Sequence, residues 1–191
     1  MTQYYPAFLN LEGKRVLLFG GGAVALRKAK ALVRSGACIN AIAKEFSPSF
    51  LKFSEKNGIT AKHGSTVPEN LKSFPIVVAA TSDAHFNHKV YDACVKKGIL
   101  VNVVDDPKHS TFIVPSVVKR GALQIAISTG GRSPLLAKML RKKLERQLGI
   151  ELGQLVETLG LARAQAKQTI SSQKKRRNHF KKLIERSGVI T

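Results

Sequence analysis

The chain has 191 residues and a formal net charge of +20, with 32 Lys and Arg against 12 Asp and Glu. Its hydrophobic fraction of 43% is high enough for a packed core, which excludes a chain that is mostly disordered. The charge predicts a polyanionic partner, but it does not distinguish nucleic acid, an anionic membrane and a small poly-acid.

The first two-thirds of the chain alternates short apolar runs with stretches of helical periodicity. The apolar runs predict strands at 15–19, 38–43, 58–62, 76–80 and 99–104. The helical stretches cover residues 23–35, 48–56 and 84–97. Strands that are apolar throughout are typical of a sheet covered on both faces. This alternation predicts an α/β fold with a parallel sheet and right-handed crossovers.

The pattern changes after residue 105. Runs at 111–118 and 123–128 predict a hairpin or an extra pair of strands, and helical stretches follow at 135–148 and from 151 to the end. Ser133 is a natural N-cap, with Pro134 at the first helical position. We therefore divide the chain into a domain over 1–114, a small β/α region over 115–149 and a helical C-terminal region over 150–191.

The positive charge is concentrated toward the C-terminus. Residues 132–191 carry 15 basic and 4 acidic residues, and the densest run is 174–177. A solvated helix face is the main interpretation of this run. Contact with nucleic acid is the alternative, and it is disfavoured because no aromatic residues stand between the basic ones.

Targeting patterns are missing from the sequence. No stretch approaches the ~18–20 apolar residues that span a bilayer, and the N-terminus lacks the order of a signal peptide. We therefore expect a cytoplasmic protein with no membrane partner.

Cys38 and Cys94 lie in apolar-periodic segments and are expected to be buried, reduced thiols. His85 and His88 have no Cys or acidic residue at metal-ligand spacing, so no metal site is expected.

A glycine-rich loop lies between the first predicted strand and the first predicted helix. Gly20, Gly22 and Ala25 fit the pattern G-x-G-x-x-[G/A], with Gly21 between the first two. In this pattern the first Gly permits the tight turn and the second lets the backbone approach a pyrophosphate. The small third residue lets the helix pack on the strand, and the helix N-terminus attracts the phosphates. The loop predicts dinucleotide binding.

Residues after the second and fourth predicted strands are candidates for the rest of the dinucleotide site. Glu45 could hold the ribose hydroxyls and favour NAD, whereas Lys44 could attract a 2′-phosphate and favour NADP. The available carboxylate favours NAD slightly. Thr81 opens a Thr-Ser-Asp segment that either lines the site at the carboxyl edge of the sheet or caps the following helix.

Several longer blocks, taken together with the glycine loop, resemble a known family. The blocks are Tyr-Pro-Ala-Phe-Leu-Asn-Leu at 5–11, Arg-Lys at 27–28, Asn-Val-Val-Asp-Asp-Pro at 102–107, Phe-Ile-Val-Pro-Ser at 112–116 and Ile-Ser-Thr-Gly-Gly-Arg-Ser-Pro at 127–134. Over about residues 4–148 the chain resembles the siroheme synthase N-terminal family, in its short stand-alone form. This family contains precorrin-2 dehydrogenases, some of which are also sirohydrochlorin ferrochelatases.

The resemblance implies an NAD-dependent enzyme with a Rossmann domain and a dimerisation region within 115–149. Its reaction would oxidise precorrin-2, a tetrapyrrole, to sirohydrochlorin in siroheme biosynthesis, and its assembly would be a homodimer. Ala23 and Val24 would contact the cofactor at the helix start, and Lys44 with Glu45 at its adenosine end. A bifunctional dehydrogenase that also inserts Fe²⁺ is the first alternative. An NAD-responsive nucleic-acid-binding protein is the remote one, since no nucleic-acid-binding signature is present.

Asp105 matches the carboxylate that the resemblance implies to be catalytic. It directly follows an apolar strand, so it is expected at the carboxyl edge of the sheet, partly buried and beside a nicotinamide. A carboxylate there can accept the proton released when a hydride leaves the macrocycle. The alternative is an ordinary turn residue before Asp106 and Pro107.

Five further residues are candidate substrate contacts. Asn102 would lie near the same sheet edge, and His109 could exchange protons or bind a substrate carboxylate, unless it is an exposed loop residue. The turn that contains Ser128, Thr129 and Arg132 suits anions, or it simply caps the next helix. Because Thr129 stands where many relatives have serine, a role special to serine is in doubt there.

Overall fold

The computed structural model describes residues 3–189. The chain divides into two compact units, one ending at Val114 and the other starting at Pro115. None of the helices in the described part of the chain is both long and apolar enough to cross a membrane. The boundary predicted between residues 149 and 150 stays a prediction.

The first unit is built on a five-stranded parallel sheet. Its strands are β1 (Arg15–Phe19), β2 (Cys38–Ala43), β3 (Thr60–His63), β4 (Ile76–Ala79) and β5 (Leu100–Val103), in the order β3-β2-β1-β4-β5. Its helices are α1 (Ala23–Val33), α2 (Pro48–Lys56) and α3 (Ala84–Val95). The predicted α/β fold with a parallel sheet is confirmed. The chain first adds strands on one side of β1 and then on the other, which creates a switch point between β1 and β4.

The apolar strands bury both faces of this sheet. Leu17 and Phe19 of β1 belong to one core cluster, together with Val90 of α3. Val16 and Leu18, which alternate with them, belong to the other cluster with residues of α1 and α2. All four of these β1 side chains are at most 1% exposed. The absence of polar alternation along the strands is explained by this two-sided burial.

The outer edge of β5 is covered by the segment that follows it. The Val101 N–H donates to Thr111 Oγ1 at 2.8 Å, and the Val103 N–H donates to Ser110 Oγ at 2.9 Å. The Thr111 N–H in turn donates to the Val101 carbonyl at 2.8 Å. The prediction of a strand over 111–118 is therefore wrong for its first half, because only one of these three bonds joins backbone to backbone and no strand ladder forms there. The observed strand starts only at Ser116.

Replacing Thr111 with Val is expected to destabilise the first unit by about 1 kcal/mol, because the Val101 N–H then loses its acceptor. Urea unfolding would show a lower midpoint at an unchanged slope. Thr111→Ser keeps the hydroxyl and serves as the matched control. Equal midpoints for the two variants would contradict this account of the β5 edge.

The second unit contains a hairpin and three helices. Strands β6 (Ser116–Arg120) and β7 (Leu123–Ile127) pair antiparallel, and helices α4 (Pro134–Gln147), α5 (Glu151–Thr169) and α6 (Gln173–Ser187) follow. Ser133 accepts a hydrogen bond from the Leu136 N–H, so its predicted role as N-cap is confirmed. Arg120 ties the hairpin to the end of α4 by donating to the Glu145 and Leu148 carbonyls, at 2.6 and 2.8 Å.

The two cysteines differ in burial. Cys94 is completely buried in α3, and desolvation raises the pKa of its thiol to about 12. Cys38 is exposed, so the prediction that it is buried is wrong. It is the first residue of β2 and lies before the part of the strand that the helices cover.

Candidate functional site

A cavity of about 590 Å³ lies at the carboxyl ends of the parallel strands, all within the first unit. Its lining comprises Gly20–Gly22, Ala23, Val24, Ile42, Ala43, Lys44, Glu45, Gly64, Ser65, Ala80, Thr81, Ser82, Asp83, Phe86, Val104 and Asp105. Ligands of open α/β sheets bind at this edge, beside the switch point of the strand order. The structure thus brings together all eight residues predicted to bind the cofactor, and it adds Asp105.

Packing requires glycine at two of the three positions of the loop. Gly20 has a φ of +120°, and a Cβ at this position would overlap the carbonyl of Ala80, the residue directly after β4. A Cβ at Gly21 would overlap the Glu45 carbonyl. At Gly22, in contrast, a Cβ would meet no atom within 4 Å. Protein packing therefore does not require glycine at Gly22, whereas a ligand in close contact with the backbone would.

The start of α1 is suited to a pyrophosphate. Gly22 is the N-cap and supplies no side-chain cap, and the first turn of the helix contains no acidic residue. Ala23 and Val24 of this first turn lie in the cavity wall. Backbone N–H groups and the positive end of the helix dipole at this place attract phosphate oxygens. The residues present therefore fit an NAD(P) diphosphate.

The lining of the cavity also includes charged groups of both signs. Lys44 and Glu45 follow β2 and are exposed at the cavity. Asp83 caps α3 by accepting from the Phe86 N–H at 2.9 Å, which confirms the capping interpretation of the Thr-Ser-Asp segment. This hydrogen bond holds the pKa of Asp83 below its ordinary value, and the nearby positive charge of Lys44 acts in the same direction.

Thr81 lies in the wall with its hydroxyl already engaged. Its Oγ1 donates to the Asn87 Oδ1 at 2.7 Å, and the Asn87 Nδ2 donates back to the Thr81 carbonyl at 3.0 Å. The pair fixes the loop after β4 to α3. Direct cofactor binding by Thr81 stays a prediction.

Asp105 has an unusual backbone conformation. Its φ is +61°, and it is the non-glycine residue with positive φ among residues 3–189. The Asp106 N–H donates to the Val103 carbonyl at 3.2 Å, so Asp105 is the third residue of a tight turn, a place where glycine or asparagine is usual. Strained residues of this kind concentrate at functional sites. Its side chain is exposed, so the prediction of partial burial is wrong for this chain.

Lys28, near Asp105, is a residue of the site for which the sequence predicts no role. Lys28 of α1 donates from Nζ to the Asn102 Oδ1 at 3.4 Å. Burial and the neighbouring Arg27 lower the pKa of Lys28, while the negative charge of Asp105 opposes them. The sequence signal for Lys28 is its position directly before Ala29, a completely buried residue of α1.

Asn102 and His109 are both held by neighbours. Asn102 is 6% exposed, and its Nδ2 donates to the Phe112 carbonyl at 3.1 Å. His109 pairs through Nδ1 with Asp106 Oδ2 at 2.7 Å. Neither residue lies in the wall of the large cavity. Asn102 accepts a hydrogen bond from Lys28, whose charge interacts with that of Asp105. Its role as a substrate contact stays a prediction, as does that of His109.

The remaining predicted substrate contacts lie in the second unit. Ser128 Oγ accepts from the Gly130 N–H at 3.1 Å, and Thr129 Oγ1 accepts from the Ser133 N–H at 3.0 Å. The Arg132 N–H donates to the Thr129 carbonyl at 3.2 Å. These bonds shape the turn that leads into α4, as the capping alternative predicted. Anion binding by Ser128, Thr129 and Arg132 stays a prediction.

Comparison with known proteins agrees with this geometry. Residues 7–116 match the family described as putative NAD(P)-binding, and residues 120–147 match the sirohaem biosynthesis protein central family. Siroheme synthase 2 of Yersinia pseudotuberculosis is 40% identical over 95% of this chain and 38% of its own length. Siroheme synthase 2 of Aeromonas hydrophila is 42% identical over 94% of this chain and 38% of its own length. The chain thus spans about two-fifths of the length of these relatives.

A solved structure shares the fold over nearly the whole chain. The structure of SirC, a precorrin-2 dehydrogenase, has a TM-score of 0.80 and 28% sequence identity, and the match covers 95% of this chain and 89% of SirC. The first unit, with its glycine loop at the switch point, is an NAD(P)-binding Rossmann domain. From the glycine loop through the hairpin and α4, the chain belongs to the siroheme synthase N-terminal family.

Proposed function

We propose that this chain is an NAD-dependent dehydrogenase that oxidises precorrin-2 to sirohydrochlorin. The observation that carries the proposal is the position of Asp105, held with positive φ at the rim of the NAD(P) cavity. The similarity to SirC, which extends over most of both chains, supports the same reaction class.

The glycine loop and the start of α1 have the task of holding the dinucleotide. The bare backbone at Gly22 and the first-turn amides of α1 bind the pyrophosphate. Glu45 accepts hydrogen bonds from the hydroxyls of the adenosine ribose, which favours NAD. The exposed Lys44 beside it weakens this discrimination, because its ammonium group would also attract a 2′-phosphate.

Asp105 acts as the proton acceptor in this proposal. Bound NAD⁺ would supply a hydride acceptor, and the balanced oxidation would also release one proton from the macrocycle. The Asp105 carboxylate takes this proton at the rim of the cavity. The ammonium group of Lys28 lies near enough to Asp105 for the two charges to interact. The high positive charge of the chain attracts the acidic side chains of the tetrapyrrole.

We expect the active form to be a homodimer. Large apolar side chains on α4 are exposed, namely Leu135, Leu136, Met139 and Leu140. A face of this kind is typical of an interface between subunits. Sedimentation equilibrium should therefore give twice the chain mass, and Met139→Glu should shift the protein toward monomer. A monomeric wild-type chain at micromolar concentration would contradict this expectation.

Anaerobic turnover of precorrin-2 with the full chain and NAD⁺ tests the proposal. We expect NADH and sirohydrochlorin to form in equal amounts, and NAD⁺ to give a higher kcat/KM than NADP⁺. The amounts of both tetrapyrroles and of NADH can be measured from their absorption spectra. A rate no higher than the spontaneous oxidation would overturn the proposed function.

The two alternative activities stay predictions. Anaerobic incubation of the chain with sirohydrochlorin and Fe²⁺, followed by absorption spectra, tests ferrochelatase activity. In that reaction Asp105 would accept protons from the pyrrole nitrogens. Salt-dependent retention on DNA or RNA, weakened by neutralising residues 174–177, would indicate nucleic-acid binding.

A further inference from the structure

Two adjacent basic residues of α1, Arg27 and Lys28, have no acidic side chain paired with them. They belong to the second turn of the helix, directly after the turn that lines the dinucleotide cavity. Over residues 3–189, neither of them forms an ion pair. The charges of Lys28 and Asp105 interact, but the two groups are not in direct contact. A gap therefore separates this ammonium group from the proposed proton acceptor.

Lys28 is held in place by a buried amide. Its Nζ donates to the Asn102 Oδ1 over 3.4 Å, which is a long hydrogen bond. Asn102 is 6% exposed, and its Nδ2 donates to the Phe112 carbonyl at 3.1 Å, so its Oδ1 is turned toward Lys28. An ammonium group has three donors. Two donors of Lys28 are thus left without an acceptor in the part of the chain that the structure describes.

The positive charge of Lys28 is only partly compensated by the protein. Partial burial and the neighbouring Arg27 both lower the pKa of Lys28, and the more distant Asp105 offsets only a part of this effect. A half-buried ammonium group beside a second cation is stabilised by an anion at hydrogen-bond distance. The described residues place only the neutral amide of Asn102 there. The arrangement therefore suits an anionic group of a ligand.

The position of Lys28 indicates which ligand carries this anion. Neither Lys28 nor Asn102 lines the dinucleotide cavity, so the cavity can be filled without them. Asp105 does line it, and Asn102 stands three residues before Asp105 at β5. If the macrocycle lies beside Asp105, as the proposed function requires, its acidic side chains are the anions closest to Lys28.

We propose that Lys28, oriented by Asn102, binds a carboxylate side chain of the tetrapyrrole and so positions the macrocycle against Asp105. The inference rests on the proposed function, because it names the part of the same substrate that this place would hold. Lys28 is then a substrate-binding residue, and Asn102 is a positioning residue that acts through it. Neither residue exchanges a proton or a hydride with the substrate.

Lys28→Met removes the charge and nearly keeps the length of the side chain. We expect the KM for precorrin-2 and the Kd for sirohydrochlorin to rise about 10–100-fold, the usual effect of losing one hydrogen bond to a charged group. The KM for NAD⁺ should not change, and kcat should change less than the KM for precorrin-2. Lys28→Arg keeps a cation and should restore most of the affinity.

Two further variants separate the contact from other effects. Asn102→Asp should raise the KM for precorrin-2 and leave the KM for NAD⁺ unchanged, because its carboxylate would pair with Lys28 in place of the substrate. Lys52→Met is the matched control for net charge, since Lys52 is exposed on α2 and lines neither cavity. Its KM for precorrin-2 and Kd for sirohydrochlorin should equal those of the wild type.

The Kd for sirohydrochlorin, measured by absorption titration without NAD⁺, distinguishes this inference from the dehydrogenase proposal. If the wild-type chain binds sirohydrochlorin but does not oxidise precorrin-2, the dehydrogenase proposal fails, and weaker binding by Lys28→Met still supports the contact. If Lys28→Met binds sirohydrochlorin as tightly as an active wild type, the contact is refuted and the dehydrogenase stands. Equal weakening by Lys28→Met and Lys52→Met, or a parallel rise of the KM for NAD⁺, would also overturn the contact.

A crystal structure of the wild-type chain with sirohydrochlorin needs no variant, so it decides the question even if Lys28→Met does not fold. We expect a side-chain carboxylate oxygen of the tetrapyrrole about 2.7–2.9 Å from Lys28 Nζ. A complex in which no carboxylate contacts Lys28 would refute the inference.

Discussion

Asp105→Asn is expected to lower kcat for precorrin-2 oxidation by about 10²–10⁴-fold, the usual contribution of a positioned general base. Asparagine tolerates positive φ at least as well as aspartate, so the turn at 103–106 should keep its shape. The amide cannot accept the proton, whereas the glycine loop that holds the dinucleotide is unchanged. Steady-state kinetics with precorrin-2 and a separate NAD⁺ binding titration measure the two effects.

The control for this variant removes an acidic charge elsewhere. Asp92 is exposed on α3 and does not line either cavity, so Asp92→Asn should retain wild-type kcat. If Asp105→Asn also retains full kcat, Asp105 is not the proton acceptor and the mechanism must use another group. Loss of NAD⁺ binding in Asp105→Asn would instead indicate a disturbed cavity.

Gly20→Ala is expected to damage both the fold and the cofactor site. Its φ of +120° disfavours any side chain, at a cost of about 1–3 kcal/mol, and the new Cβ would overlap the Ala80 carbonyl. Because Gly20 also donates its N–H to the Ile42 carbonyl at 2.9 Å, movement of the loop would disturb the edge of the sheet. Thermal unfolding should show a clear loss of Tm, and NAD⁺ binding should be lost as well.

Gly22→Ala is the matched comparison in the same loop. Its Cβ would meet no protein atom within 4 Å, so Tm should stay close to that of the wild type. The methyl group would nevertheless occupy the place of the pyrophosphate, so the Kd for NAD⁺ should rise. Equal losses of Tm in the two variants would show that the packing around the loop is misjudged.

Local patterns predicted the secondary structure well because each strand of the parallel sheet is buried on both faces. β1, β2 and α2 have the predicted boundaries, and the apolar runs alone identify them. β3 starts two residues later than predicted, after Gly58 with its φ of +63°. The prediction of a strand over 111–115 is wrong because this segment contacts β5 mainly at its start, through the hydroxyl groups of Ser110 and Thr111. Hydrophobic periodicity does not detect such contacts.

The candidate site was predictable where it follows a motif and not where it depends on tertiary contacts. The glycine loop and Asp105 stand in blocks of characteristic sequence, and the strand ends bring them together. The charge interaction between Lys28 and Asp105 joins residues 77 positions apart, and no spacing rule covers it. The same holds for His88, which meets Asp106 only because α3 packs against the end of β5.

The hydroxyl-covered edge of β5 has a consequence for the behaviour of the protein at high concentration. Edge strands with unpaired N–H and C=O groups can pair with other chains and initiate aggregation. At β5 the outward N–H groups of Val101 and Val103 are already occupied by Thr111 and Ser110. The opposite edge strand, β3, is only four residues long. Its exposed residues, Thr60, Lys62 and His63, are polar or charged. Pairing with another chain is therefore disfavoured at both edges of the sheet, by side-chain hydrogen bonds at β5 and by a short, polar strand at β3.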